Sequence, residues 1–134
     1  MTQYDIPFNR PSLVGNEIDY IRQAVSSGRT AGGGPFTRRC QRLLEEALSV
    51  RKAILTTSCT HALEMTALLL DLRPGSEVIV PSFAFVTTVN AFVLRGARPV
   101  FADIRPDTLN LDERNLEPLI TPETKAVVPV HYAG

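Results

Sequence analysis

Several features that would settle a function early are missing from this sequence. Charge of one sign is not in excess: 14 Lys+Arg stand against 14 Asp+Glu, which leaves no electrostatic footprint for nucleic acid or an anionic membrane. No apolar run reaches the length of a membrane span. The opening Met1-Thr2-Gln3-Tyr4-Asp5 lacks the basic and apolar regions of a signal peptide. Only two cysteines occur, Cys40 and Cys59, far apart and outside any CxxC spacing, which argues against a disulfide framework or a zinc site. Nor does any pair among His61, His131 and Cys59 have metal-ligand spacing, so no metal is expected. A cytoplasmic, reduced chain is the expectation. With 134 residues and 44% apolar content, it is long enough to bury one core.

One stretch organises the rest: Thr56-Thr57-Ser58-Cys59-Thr60-His61-Ala62-Leu63-Glu64. Before it, the apolar run Ala53-Ile54-Leu55 reads as a buried strand, Ala53–Thr56. After it, Leu63, Ala67 and Leu70 fall on one face of a helix of about 60–72. A strand that turns into a helix through a hydroxyl-rich joint aims free backbone N–H groups, and the positive end of the helix dipole, at one spot. That spot suits a phosphate. Ser58 or Thr60 can equally serve as the helix cap, and the two roles are compatible.

The segments on either side follow from punctuation and spacing. Ile6 to Pro11 reads as an extended arm, because two prolines oppose a helix. Ile18, Ile21 and Val25 predict a helix over 16–26. Ser27 to Pro35 holds three consecutive glycines but follows no strand and lacks a Gly-Lys-Ser/Thr ending, so it is read as a flexible connection. Phe36, Cys40, Leu43, Leu44 and Ala47 predict the next helix, with Arg38, Arg39 and Arg42 as a solvated face. Beyond a turn at 73–76, a strand over 77–80 is stopped by Pro81, and a helix over 87–95 ends at Gly96. A strand over 99–102, a short helix over 112–120 capped by Asp112, and a strand over 126–130 complete the pattern. Strand and helix alternating at this spacing mean crossovers and a parallel sheet, hence an α/β fold.

Ligands of open parallel sheets bind beyond the carboxyl ends of the strands. Those ends carry Ser58 to His61, Ser82 to Phe85, Asp103 to Arg105, and His131 to Gly134. The opposite edge holds Lys52, Glu77, Arg98 and Lys125, which read as ordinary solvent contacts.

These residues resemble a known family. Pro81-Ser82-Phe83-Ala84-Phe85-Val86-Thr87-Thr88, preceded by Ser58-Cys59-Thr60-His61-Ala62-Leu63, is similar to the DegT/StrS nucleotide-sugar aminotransferases. So are Gly96-Ala97-Arg98-Pro99-Val100-Phe101-Ala102-Asp103 and the run from Thr121 to Gly134. The likeness extends from about Ile6 to the last residue. Within the family, Phe36-Thr37-Arg38-Arg39-Cys40-Gln41 and Ser58-Cys59-Thr60 most resemble members that transaminate a dTDP-4-keto-6-deoxy sugar for surface-polysaccharide synthesis.

The resemblance implies pyridoxal 5'-phosphate as cofactor, the aspartate-aminotransferase type of fold, and a homodimer. It implies dTDP-4-keto-6-deoxyglucose as acceptor and glutamate as amino donor. Thr60 and His61, with Cys59 beside them, would form the phosphate cup, and Phe85 would stack on the pyridine ring. Phe85 read by its neighbours alone, Phe83 and Val86, would be core; the resemblance reverses that. His131 and Tyr132 are substrate-binding candidates without a defined role, and a buried, hydrogen-bonded His131 is the competing reading.

Two parts of the family's chemistry fall outside these 134 residues. The Schiff-base lysine and the acid that pairs with the pyridinium nitrogen come from later segments in the family. The lysines here, Lys52 and Lys125, precede strands and so belong to the wrong edge. Asp103 is at the right edge, but the family pattern does not make it that acid. The chain is therefore expected to be the N-terminal part of the cofactor-binding large domain, with 1–35 as arm, helix and Gly-rich loop. Alone it is expected to be inactive and, with sheet edge and apolar faces open, prone to aggregate. Rival readings are a non-catalytic truncated paralogue or interaction partner of a full-length aminotransferase, and another phosphate-binding α/β protein. A separate gene carrying the later segments would disfavour the first; tight nucleotide binding without the cofactor would favour the second.

Overall fold

The computed structural model describes residues 10–132, and their contacts separate into two units divided between Leu55 and Thr56. The expected arm over 6–11 lies mostly outside the described residues. In the first unit, α1 (Glu17–Ser26) starts without a side-chain cap from Asn16. Instead the Glu17 carboxylate accepts from the backbone N–H groups of Val14 (2.7 Å) and Gly15 (2.9 Å), which folds the approach to the helix back onto its first residue. α2 (Pro35–Ala47) opens on a proline, whose missing N–H leaves nothing unpaired at a first helical position. At its other end Ser49 N–H donates to Glu46 O and Val50 N–H to Glu45 O, with Ser49 in the left-handed region at φ 52°.

The Gly-rich loop joins these two helices, as expected. Two of the arginines read as a solvated face have partners: Arg38 donates to Gly33 O, and the Arg39 guanidinium lies 5.5 Å and 5.4 Å from the ring centres of Tyr20 and Phe36. No residue of α1 or α2 is buried. Residues 53–56 do not form the expected strand. A strand requires a hydrogen-bonded neighbour, and this segment has none among the described residues; Ile54 and Leu55 are exposed.

The second unit is built on β1 (Glu77–Pro81), every residue of which is buried. β2 (Arg98–Ala102) and β3 (Thr124–Val127) flank it in the order β2-β1-β3, both parallel to it. The parallel α/β class is therefore as expected. Alternation sends Val78 and Val80 to one face and Ile79 to the other. The first face packs Ala67 and Leu72 of the α3 segment (helix Cys59–Leu69) with Ala91 and Phe92 of α4 (Val86–Val93). Leu63 and Leu70 pack against this cluster, which realises the predicted helix face. The second face packs Ile79 with Ala102 and Leu111.

Four details differ from the sequence reading. β1 runs through Pro81, which pairs with Ala102, before it ends. The helix expected over 112–120 is two 3-10 turns, Glu113–Asn115 and Glu117–Leu119, because Pro118 cannot donate to a continuing helix. Asp112 does cap the first turn, accepting from Arg114 N–H at 3.1 Å. β3 starts and ends earlier than expected, short of Pro129. Glu77 is not an ordinary solvent contact: its side chain is buried, bonded to the Arg98 guanidinium and, at 2.8 Å, to the Thr121 hydroxyl. An unpaired charge there would be costly, so this pairing lets the strand begin with a buried carboxylate.

α4 closes as the glycine at 96 predicts. Gly96 has φ 83°; its N–H donates to Val93 O (2.8 Å) and the Ala97 N–H to Phe92 O (3.2 Å). Among the described residues no helix is long and apolar enough to cross a membrane.

Candidate functional site

The carboxyl edge of the second unit's sheet receives the N-termini of α3 and α4. Ser58 is the N-cap of α3: its backbone is extended, and its hydroxyl accepts from His61 N–H at 3.2 Å. The neighbouring hydroxyls brace the same turn. Thr56 Oγ1 donates to Ser58 O (2.8 Å), and Thr57 Oγ1 is hydrogen-bonded to His61 Nδ1. The Cys59 and Thr60 N–H groups occupy first-turn positions, where a helix supplies no acceptor of its own.

α4 has no side-chain cap at Phe85. Its first turn is tied to that of α3 by Thr60 Oγ1 donating to Thr87 Oγ1 at 3.2 Å. Two positive helix ends thus meet at one hydroxyl pair. Thr87 was within the motif stretch but had no assigned role in the sequence reading; only the fold brings it to Thr60.

The other candidates are distributed along the same edge. Phe85 is 74% exposed, so its apolar neighbours do not make it core: it sits at the mouth of α4, not beneath it. Cys59 and His61 are exposed, Cys59 as a free thiol, and Thr60 is half-buried. His131 is exposed, which overturns its reading as a buried histidine. Tyr132 packs against Phe83, ring centres 4.8 Å apart, and its N–H donates to Asn110 Oδ1 at 2.8 Å. Asp103 is occupied locally, accepting from Ile104 N–H at 2.8 Å. Nearby, the Asp112 carboxyl is held below its ordinary range, chiefly by hydrogen bonds from the Arg114 side chain. That pair reads as structural. Ala133 and Gly134 lie outside the described residues.

The second unit's lysine does not lie at this edge. Lys125 is at the start of β3, beside Glu77 at the opposite end of the sheet. Lys52 belongs to the first unit, 3.2 Å from Glu45. Among the described residues, no group of three or more His, Cys, Asp and Glu side chains could hold a metal ion.

Comparisons with known proteins bear on this edge. The aminotransferase TlmJ from Streptoalloteichus hindustanus is 38% identical, with a TM-score of 0.80 over 92% of this chain. NtdA from Bacillus subtilis, with bound pyridoxamine phosphate, is 35% identical, with a TM-score of 0.75 over 86%. A provisionally assigned sugar aminotransferase of Streptococcus pneumoniae, in its pyridoxamine phosphate form, is 34% identical, with a TM-score of 0.81 over 98%. The chain spans 34%, 26% and 33% of these proteins respectively, so it corresponds to about a third of such an enzyme or less. The cofactor of these aminotransferases is pyridoxal phosphate, whose amino form two of the three carry. The sequence model of the DegT/DnrJ/EryC1/StrS aminotransferases matches residues 11–134, nearly the whole chain, which therefore belongs to that family.

Proposed function

We propose that this chain supplies the phosphate-binding and ring-stacking part of a sugar-nucleotide aminotransferase that uses pyridoxal phosphate. The observation that carries this reading is the junction of the α3 and α4 N-termini at the Thr60–Thr87 hydrogen bond. There the Cys59 and Thr60 N–H groups offer donors to a phosphate, as does the Thr60 hydroxyl once its proton turns from Thr87, and both helix dipoles favour the charge. His61 closes the turn through its N–H on Ser58 and its ring on Thr57. The exposed ring of Phe85 offers a flat face for offset stacking of the pyridine.

The residues present fit the phosphate and the ring face of the cofactor. Among the described residues of the second unit, no lysine stands at that edge to anchor it. Bound pyridoxal phosphate supplies an electron sink through which an amino group passes between donor and acceptor. What this chain's residues do is bind the phosphate, orient the ring and shield one of its faces.

The fuller reading is the N-terminal part of the cofactor-binding domain of an enzyme that aminates dTDP-4-keto-6-deoxyglucose from glutamate. That enzyme would act as a homodimer in surface-polysaccharide synthesis, and this chain alone would be inactive. Its support is the motif likeness together with the family and its sugar-aminotransferase relative.

Pyridoxamine phosphate is the probe of choice, since it lacks the aldehyde that would react with Lys52 or Lys125 at random. Equilibrium dialysis is expected to show binding to the chain, weakened about tenfold by Thr60→Val, the scale of one hydrogen bond to a charged group. Equal binding by the variant, or none by the parent, overturns the cup. Incubation with pyridoxal phosphate, glutamate and the keto sugar is expected to give no amino sugar. Product made by the chain alone would overturn its inactivity.

A further inference from the structure

Threonine hydroxyls on the helices of the second unit are used in two ways. Thr66, within α3, donates back to Ala62 O at 2.9 Å, the local bond open to a threonine inside a helix. Thr87 stands at the second position of α4, so the carbonyl four residues earlier, that of Phe83, lies before the helix. Its hydroxyl instead meets Thr60 Oγ1 at 3.2 Å, from 27 residues away along the chain. Both side chains are half-buried, and together they tie the first turns of two different helices.

A hydroxyl carries one proton and two lone pairs. In this pair Thr60 gives its proton to Thr87, and the Thr87 proton is not used in the bond. While Thr87 holds the Thr60 proton, it cannot be given to a phosphate. One rotation of each hydroxyl reverses the bond without moving a heavier atom. Thr87 then donates to Thr60 Oγ1, and the Thr60 proton is released. A hydroxyl that accepts one hydrogen bond is also polarised to donate the next more strongly.

We propose that Thr87 is a positioning residue of the phosphate cup: on loading, its bond with Thr60 reverses, and Thr87 holds Thr60 with its proton free for the phosphate. This rests on the cofactor reading above and adds to it a residue that works through another. The Thr87 hydroxyl therefore matters to binding only while Thr60 has a hydroxyl of its own. A serine at position 87 keeps the proton and keeps the effect.

The test is equilibrium dialysis of pyridoxamine phosphate against the full chain, run as a double-mutant cycle over the two hydroxyls. Thr87→Val is expected to weaken binding about fivefold, the scale of one neutral hydrogen bond. Thr87→Ala, which removes the same hydroxyl with no methyl in its place, should do likewise. Thr87→Ser should bind like the parent. In a Thr60→Val background, Thr87→Val is expected to cost nothing further. A Thr87 that only supports the fold would weaken binding equally in both backgrounds, and that additive result overturns the proposal. So does unchanged binding by Thr87→Val and Thr87→Ala, or a loss that Thr87→Ser does not restore. Thermal midpoints are recorded for each variant, and Thr87→Ala takes the place of Thr87→Val in the cycle if the valine unfolds the chain. If Thr60→Val weakens binding while the Thr87 variants do not, the relay fails and the cup stands. If the parent does not bind, the cup fails and the relay with it.

Discussion

Ile21 in α1 and Ile79 in β1 are the same side chain in two very different settings. Ile21 is 57% exposed on a helix that buries nothing, whereas Ile79 is fully buried between β2, β3 and the Leu111 segment. Both lie in well-marked apolar patterns. The difference teaches what such a pattern determines. Spacing decides which face of an element is apolar, and burial requires a second element to cover that face. The strand–helix unit after Leu55 supplies its own cover. The two helices before it stabilise themselves through local bonds instead, such as Glu17 at the start of α1 and the Arg39 contacts with Tyr20 and Phe36.

The sharpest way to break this comparison is a matched pair of truncations. Ile79→Ala removes fully buried methyl groups and should cost about 2–5 kcal/mol. Ile21→Ala should stay within roughly 0.5 kcal/mol, as for other exposed positions. Urea titration of each variant reads both; equal losses would mean that the face of α1 is covered in solution.

A smaller effect separates the two helix ends of the first unit. α1 is followed by Gly28 at φ 66°, which suits that conformation, and α2 by Ser49 at φ 52°, which does not. Ser49→Gly should therefore stabilise α2 by roughly 1 kcal/mol, seen as a higher thermal midpoint of the helical circular-dichroism signal. An unchanged or lowered midpoint would show that Ser49 carries no strain.

The smallest effect concerns pH. The Glu45 carboxyl is held below its ordinary value of 4.5, first by the Ala53 N–H and then by the Lys52 side chain. A carboxyl depressed by folding contributes fully above its unfolded value and loses that contribution as pH falls through the lower, folded one. The Ala53 amide resonance should accordingly titrate with a midpoint below 4.5. A midpoint at or above that value would remove Glu45 from the segment that leads into Ile54.

Much of the second unit was legible because turn residues and alternation delimit it. Pro74-Gly75 and Gly96 bracket β1 and α4, with β2 starting just after Gly96, and the apolar face of α3 follows directly from Leu63, Ala67 and Leu70. Two of the misreadings share one cause, which is that partners are not visible locally. Ala53-Ile54-Leu55 has strand-like composition and no strand neighbour among the described residues. Glu77 looked solvent-facing because Thr121, whose hydroxyl donates to its buried carboxylate, is far along the chain. At the candidate site, the Ser58 cap could be read from its own neighbours. The Thr60–Thr87 bond, the Phe83–Tyr132 pair and the Asn110 support all require the fold to bring distant residues together.

The order β2-β1-β3 also has a kinetic meaning. Glu77 pairs with Arg98 through the short α4 crossover, and with Thr124 only across more than twice that length of chain. Loop closure is entropically cheaper for the nearer partner, and contacts close in sequence form fastest. The β1–β2 ladder also runs unbroken over its five pairs, while the β1–β3 ladder shifts register between Glu77 and Val78. Folding should then nucleate on β1, α4 and β2, with β3 docking last. Until it docks, the open side of β1 is the place where another extended chain could pair in its stead.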